Sequence, residues 1–353
     1  MNKQLKQRER LEQNLIARFP KIKRFDPPND LPLIESIKDG SFHKSSAGIA
    51  LYCNGFTGKA FHPSPFGYLL SENGYFGQQT ISFGIFRRGH DNRNYAVVMP
   101  LIGTGRLVPI CSSLLELGEI AGVYVRFLKL RDYLEFVHIF KPAKEHPWDL
   151  NAPEEDETLC YSRIDLTNLR LNARTGYNRA KGFVDRHNLT LRFEKLNESG
   201  FDIAYDIIKR HFELLEKSGK RVGSAPEDYL GLLQPEILSL PAVNAVIGFL
   251  NDLPVSVFVS ERTGQKSIAM YSTIVVRDME YLMKELGITI EDEKSDGLSA
   301  IPSFMLLSFL KQLQDQGFEI VYLGGSEVAD LNKAKIRLGA ENDPTYWVVM
   351  LRD

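Results

Sequence analysis

The sequence predicts a mixed α/β fold in which one order of strands and helices occurs twice. Three observations carry that prediction. The chain has 353 residues, enough for two domains of ordinary size. From residue 199 onward the apolar pattern gives helix, helix, strand, strand, strand, helix, strand, helix, strand. The first half repeats this more loosely: strands, a helix, a strand, a short helical stretch and a strand.

In the first half, residues 1–18 read as a short charged helix, and FDPPNDLP (25–32) is a breaker. Strands are expected at 47–53, 78–86 and 95–103, with FRRGHDNRN as a hairpin turn before the third. A helix follows at 111–120, then a strand at 123–130, a helical stretch at 132–139, a polar loop at 146–157 and a strand at 160–166. The segment 167–195 is different, with seven basic residues against two acids. Leu169, Ala173, Ala180 and Val184 make one helical face, and Arg170, Arg174, Asn178 and Lys181 another.

The second half is more regular. Residues 203–219 form an amphipathic helix stopped by Gly219, and 225–234 a short one begun by Pro226. Strands at 243–252, 255–263 and 267–276 are joined by turns at Asn251-Asp252 and Thr263-Gly264. After a polar segment (277–298) comes a helix at 299–317, with Ser299 as N-cap and Gly317 as terminator. A buried strand (318–325), a helix (329–339) and a final strand (346–352) complete the chain.

Bulk properties narrow the function. Lys+Arg total 43 and Asp+Glu 45, a formal net charge of −2, so any RNA contact must come from a local patch. Cys53, Cys111 and Cys160 lack zinc spacing and read as buried thiols in a reducing compartment. The charged N-terminus lacks a signal-peptide core, and no apolar run reaches the roughly 20 residues that span a bilayer. A cytoplasmic protein is expected. No GxSxG, HExxH or P-loop is present, and IGTGRLV (102–108) lacks the third glycine of a dinucleotide fingerprint.

The element order resembles that of GNAT acyltransferases. It implies tandem GNAT-like domains with mixed central sheets flanked by helices. The expected division is a degenerate copy at 1–166, a basic inter-domain helix and strand at 167–198, and a transferase copy at 199–353. In that fold two strands splay apart beside the long central helix, and the acyl ester or thioester lies in the gap, where backbone N–H groups stabilise the oxyanion. Here the splayed pair is 267–276 and 318–323, placing Tyr271 and Tyr322 near the gap; both also read as ordinary strand residues. Acyl-CoA enzymes put a glycine-rich basic turn before the central helix to hold pyrophosphate. This chain has GITIEDEKSDGLSA (287–300), whose Glu291, Asp292, Glu293 and Asp296 repel a pyrophosphate. An acidic rim of this kind, with Glu291 and Asp296 as candidate ligands, suits a cationic amine; a solvated acidic loop is the plain alternative.

The run YLGGSEVADLNKAKIRLGA (322–340) resembles the end of FemABX-type aminoacyl-tRNA-dependent transferases and the transferase domain of phosphatidylglycerol lysyltransferases. Gly324, Gly325, Ser326 and Glu327 match the family's strand end. Ala334, Lys335, Ile336, Arg337, Leu338 and Gly339 match its Phe-Lys-x-x-Phe-Gly, with Ala334 in place of Phe. NARTGYNRAKGFVDRHNLTLR (172–192) resembles its Arg-rich inter-domain helix. The resemblance covers roughly 160–353. It implies transfer of an aminoacyl group from a charged tRNA to a small amine or hydroxyl compound, a peptidoglycan precursor or a lipid, with no cofactor. It assigns Lys335 to the terminal ribose or phosphates and Gly324, Gly325 and Ser326 to the substrate. Lys333 and Arg337, one helical turn apart, are candidate phosphate contacts, and Arg174, Arg179 and Lys181 candidates to track the RNA backbone. As plain surface charge, all five have an equal claim. Glu327 is the first candidate for a base, or a side chain holding the turn. The rivals are an acyl-CoA-dependent N-acyltransferase and a non-catalytic GNAT-like binding module.

Overall fold

A computed structural model describes residues 10, 13–14, 17, 23–24, 45–48, 67–73, 79–88, 93–102, 107–128, 130–139, 158–169, 171, 175–219, 226–289, 297–326 and 329–352. The chain forms two compact units. One holds 1–37, 52–160 and 343–353; the other holds 38–51 and 161–342.

In the first unit the strands are β1 (Lys23–Arg24), β2 (Gly67–Asn73), β3 (Gln79–Arg88), β4 (Asn94–Ile102) and β5 (Ile120–Leu128). They are joined by the C-terminal strand, Glu341–Leu351, labelled β12 in chain order. Neighbours run in the order β1-β2-β3-β4-β5-β12. The predicted hairpin is present, with Arg88 opposite Asn94. The pair β4–β5 is parallel, which requires the crossover helix α1 (Leu107–Leu115), and β5–β12 is antiparallel. Helix α2 (Leu130–Ile139) follows β5. Ile110, Cys111 and Leu114 of α1, Val123 and Val125 of β5, Phe136 of α2, and Val348 and Met350 of β12 form one buried cluster. Burial pushes the Cys111 thiol far up, so it is no nucleophile at neutral pH.

In the second unit the remaining strands are β6 (Thr158–Asp165), β7 (Leu191–Lys195), β8 (Val243–Leu250), β9 (Leu253–Arg262), β10 (Ser267–Val275) and β11 (Ile320–Ser326). Their order is β6-β11-β10-β9-β8-β7. The helices are α3 (Thr175–Arg186), α4 (Phe201–Lys217), the single turn α5 (Pro235–Leu238), α6 (Met279–Leu286), α7 (Ile301–Asp315) and α8 (Ala329–Arg337). The β8–β9 turn is the predicted Asn251-Asp252, with Asn251 at φ 52° as a tight two-residue hairpin requires. Helix α7 buries Ile301, Phe304, Met305, Phe309, Leu310 and Leu313, too wide an arc for a surface helix, so it lies inside the unit. Phe309 meets Phe258 of β9 and Phe193 of β7 at ring distances of 4.9 and 5.5 Å.

Several expectations need correction. The strand expected at 47–53 is helical where described, at 46–48, and its remainder lies outside the described residues. Strand β2 was not anticipated. The helix expected at 111–120 ends at Leu115, because Ile120 already begins β5. Leu169 is not on the basic helix, which starts at Thr175; its buried face is Ala180, Phe183 and Val184. The polar segment 277–298 holds α6, capped by the Asp278 carboxylate accepting from Tyr281 N–H at 3.0 Å. Ser299 is no N-cap: it sits in a 3-10 turn, Leu298–Ala300, and α7 starts from Ala300 without a side-chain cap.

Candidate functional site

Among the described residues, strands β10 and β11 pair in parallel over Ser267↔Ile320, Ile268↔Val321 and Ala269↔Tyr322, although both continue. On its other side β10 stays paired with β9 as far as Val275↔Ser256. The expected splay therefore opens just past Ala269 and Tyr322. The β9–β10 register shifts between Met270 and Ser272, making Tyr271 the extra residue of a bulge at that point. Tyr271 is buried and its hydroxyl is hydrogen-bonded to the Ser45 hydroxyl. Tyr322 is half-buried.

The end of β11 carries the Gly-Gly pair. Gly324 has φ 72°, a conformation that a Cβ disfavours, so the chain turns there with glycine at little cost. Its carbonyl accepts a hydrogen bond from Lys335 Nζ at 2.9 Å. Lys335 lies on α8 with only 8% exposure, while Lys333, Ala334, Ile336 and Arg337 are exposed. The helix thus buries its lysine and exposes its isoleucine, the reverse of apolar patterning. An ammonium withdrawn from water is costly unless its donors are met, and Gly324 meets one of the three.

No described protein family and no curated protein matches the sequence. Solved structures do match in fold. FemX superposes with a TM-score of 0.58 at 8% identity, covering 94% of this chain and 97% of its own. L-PGS from Bacillus licheniformis gives 0.54 at 10% identity, covering 92% of each. A tandem GNAT protein from the clavulanic acid biosynthesis pathway gives 0.51 at 9%, covering 94% and 98%. The chain has the tandem GNAT fold. At such identities the likeness establishes the fold alone.

Within this tandem GNAT fold the second unit brings together some of the expected residues. Lys335 and Gly324 are in contact, and Tyr271 and Tyr322 flank the start of the opening. Gly325 and Ser326 continue β11. Arg179 and Lys181 are exposed on α3, as are Lys333 and Arg337 on α8. Glu327, Glu291, Asp296 and Arg174 lie outside the described residues. Helix α3 packs against α7, with Tyr177 and Phe304 rings 5.2 Å apart. At Gly297, just before α7, an added Cβ would stand 2.3 Å from Phe183 Cβ and 2.8 Å from the Arg179 carbonyl oxygen. Helix α3 thus packs directly against the backbone at Gly297, leaving no room there for a side chain.

Two groups escaped the sequence reading. Glu261 ends the alternation Val255, Val257, Val259 on β9 and is fully buried. A carboxylate closing an apolar alternation was a legible signal. His211 on α4 has a buried Nδ1 with no partner among the described residues. Burial, and then the charge of Arg277, lower its pKa to about 4, while a hydrogen bond to the Val275 backbone opposes them. The ring is therefore neutral at pH 7. Because its native pKa lies below the unfolded value, the unfolded chain binds more protons between pH 6.5 and 4, and stability falls as pH drops through that window. Urea midpoints of His211→Gln across this range are expected to show a shallower acid loss, by roughly 3 kcal/mol at its lower end. Parallel pH curves for the variant and the parent contradict it.

Proposed function

We propose that the chain transfers an aminoacyl group from a charged tRNA to an amine or hydroxyl acceptor: a small molecule, a peptidoglycan precursor or a lipid. The observation carrying this reading is the buried Lys335 ammonium, held at the Gly324 carbonyl where β11 leaves its partner strand. An aminoacyl ester is already activated. Transfer then needs the acceptor oriented at the carbonyl and charge stabilised on the oxyanion and the departing ribose hydroxylate. Lys335 supplies the positive charge, and the splayed strands supply the slot. The LGGSE…KAKIRLG resemblance to FemABX-type enzymes, and the fold shared with FemX and L-PGS, support the same reading. So do the exposed cations of α3 and α8, which suit a phosphate backbone.

The enzymatic rival is an acyl-CoA donor, kept open because a neighbour of the same fold is described in relation to AcCoA. The acidic run Glu291, Asp292, Glu293 and Asp296 ahead of α7 argues against it, since these carboxylates repel a pyrophosphate. Equilibrium binding separates the two. The chain should bind tRNA with an affinity that falls steeply with salt, and Arg179→Glu with Lys181→Glu should reduce the slope by about 2. Saturable binding of coenzyme A with none of tRNA would reverse the assignment.

A further inference from the structure

The second unit takes in a segment from near the start of the chain, 38–51. Its described part, 45–48, is one helical turn whose residues are all buried. Ser46 N–H donates to one oxygen of Glu261 at 3.1 Å and Ala47 N–H to the other at 2.6 Å. The Ser45 hydroxyl accepts from Gly48 N–H at 3.1 Å and is bonded to the Tyr271 hydroxyl. A buried carboxylate is tolerated when charge-assisted hydrogen bonds meet it, and Glu261 takes two from this turn.

The location gives the contact its meaning. Glu261 on β9 is the register partner of Ala269 on β10, and Ala269 is the partner of Tyr322 on β11. The three form a row across the sheet at the last paired position before the strands part. Tyr271 stands immediately beyond it, in the bulge. The turn is therefore clamped at the mouth of the opening, by a residue 215 positions away from Ser46.

We propose that Glu261 is a positioning residue for acyl transfer: it holds the 45–48 turn so that Ser45 fixes the Tyr271 hydroxyl at the mouth of the β10–β11 opening. This rests on the reading of that opening as the transfer site. Ser45 is the middle link, since it faces the Tyr271 hydroxyl while its own turn hangs from Glu261. A side chain acting only on stability would leave Tyr271 working normally in whatever fraction stays folded.

Two measurements test this. The first is amide hydrogen exchange at Ser46 and Ala47 in the full-length protein. Glu261→Gln should lower protection about tenfold or more, because one of its two acceptors becomes a donor. Unchanged protection overturns the clamp, whatever the donor substrate is. The second is a double-mutant cycle on the folded variants Ser45→Ala and Tyr271→Phe, in whichever donor assay shows turnover. Ser45→Ala should lower kcat by about tenfold with KM unchanged, and the double variant should be no slower than Tyr271→Phe alone. Multiplying effects, or a change confined to KM, overturn the positioning role. Lost protection with no turnover of either aminoacyl-tRNA or acyl-CoA overturns the transfer reading and the positioning role with it.

Discussion

Replacing Lys335 with Met is expected to stop transfer while leaving the fold in place. Met has similar length and no charge, so it fills the same space on α8. The variant loses the hydrogen bond to Gly324, but it also sheds the cost of holding an ammonium at 8% exposure. These terms oppose one another, and the net change in stability should stay within about 2 kcal/mol. The effect on rate has no such compensation. A charge preplaced beside the developing oxyanion or leaving hydroxylate acts only in the transition state, and losing it should cost about 10²–10³ in kcat with a smaller effect on KM. Single-turnover kinetics with urea unfolding of the same preparation check both halves. Full activity in a folded variant removes the assigned role of Lys335.

Gly297→Ala is expected to be strongly destabilising for so small a substitution. Its added methyl would lie 2.3 Å from Phe183 Cβ and 2.8 Å from the Arg179 carbonyl oxygen. Neither is the tip of a flexible side chain, so relief requires α3 to move off the turn that leads into α7. Overpacking of this kind costs about 1–3 kcal/mol, and a backbone obstacle puts this case at the upper end, a fall in Tm of roughly 6–12 °C. Since α3 also carries Arg179 and Lys181, tRNA affinity should drop in parallel. Gly176→Ala on the same helix is the control. An added Cβ meets no atom within 4 Å there, and the change should be neutral or stabilising by up to about 1 kcal/mol. Equal Tm values for the two variants would contradict the packing argument.

Local pattern made much of the fold legible. Alternation located β8, β9 and β10, a two-residue turn signal located their hairpin, and Gly317 marked the end of α7. Helix α6 is hard to read because it is only eight residues long, although Met279, Leu282, Met283 and Leu286 recur at helical spacing. Ser299 was misread as a cap because a 3-10 turn precedes α7, which a sequence pattern does not distinguish from the helix itself.

The candidate site was legible where it is local. The Gly-Gly strand end and the lysine eleven residues later were visible as a motif, and the structure joins them through one hydrogen bond. The burial of Lys335 was not legible: a helical wheel puts it opposite Lys333 and Arg337, but apolar patterning would turn Ile336 inward, and Ile336 is exposed while Lys335 is buried. The Ser45–Tyr271 contact spans 226 positions and no short pattern encodes it. Glu261 could have been flagged by its place in an apolar alternation, but its partners could not.

The identity of the donor is the central claim, and one measurement addresses it most directly. A mixed pool of tRNA carrying labelled amino acids is incubated with the protein and a panel of amine, hydroxyl and lipid acceptors, with and without prior RNase treatment, beside a parallel reaction supplied with acyl-CoA. Label should move to an acceptor only from intact aminoacyl-tRNA, and RNase should abolish it. Transfer from acyl-CoA with none from aminoacyl-tRNA would contradict the account.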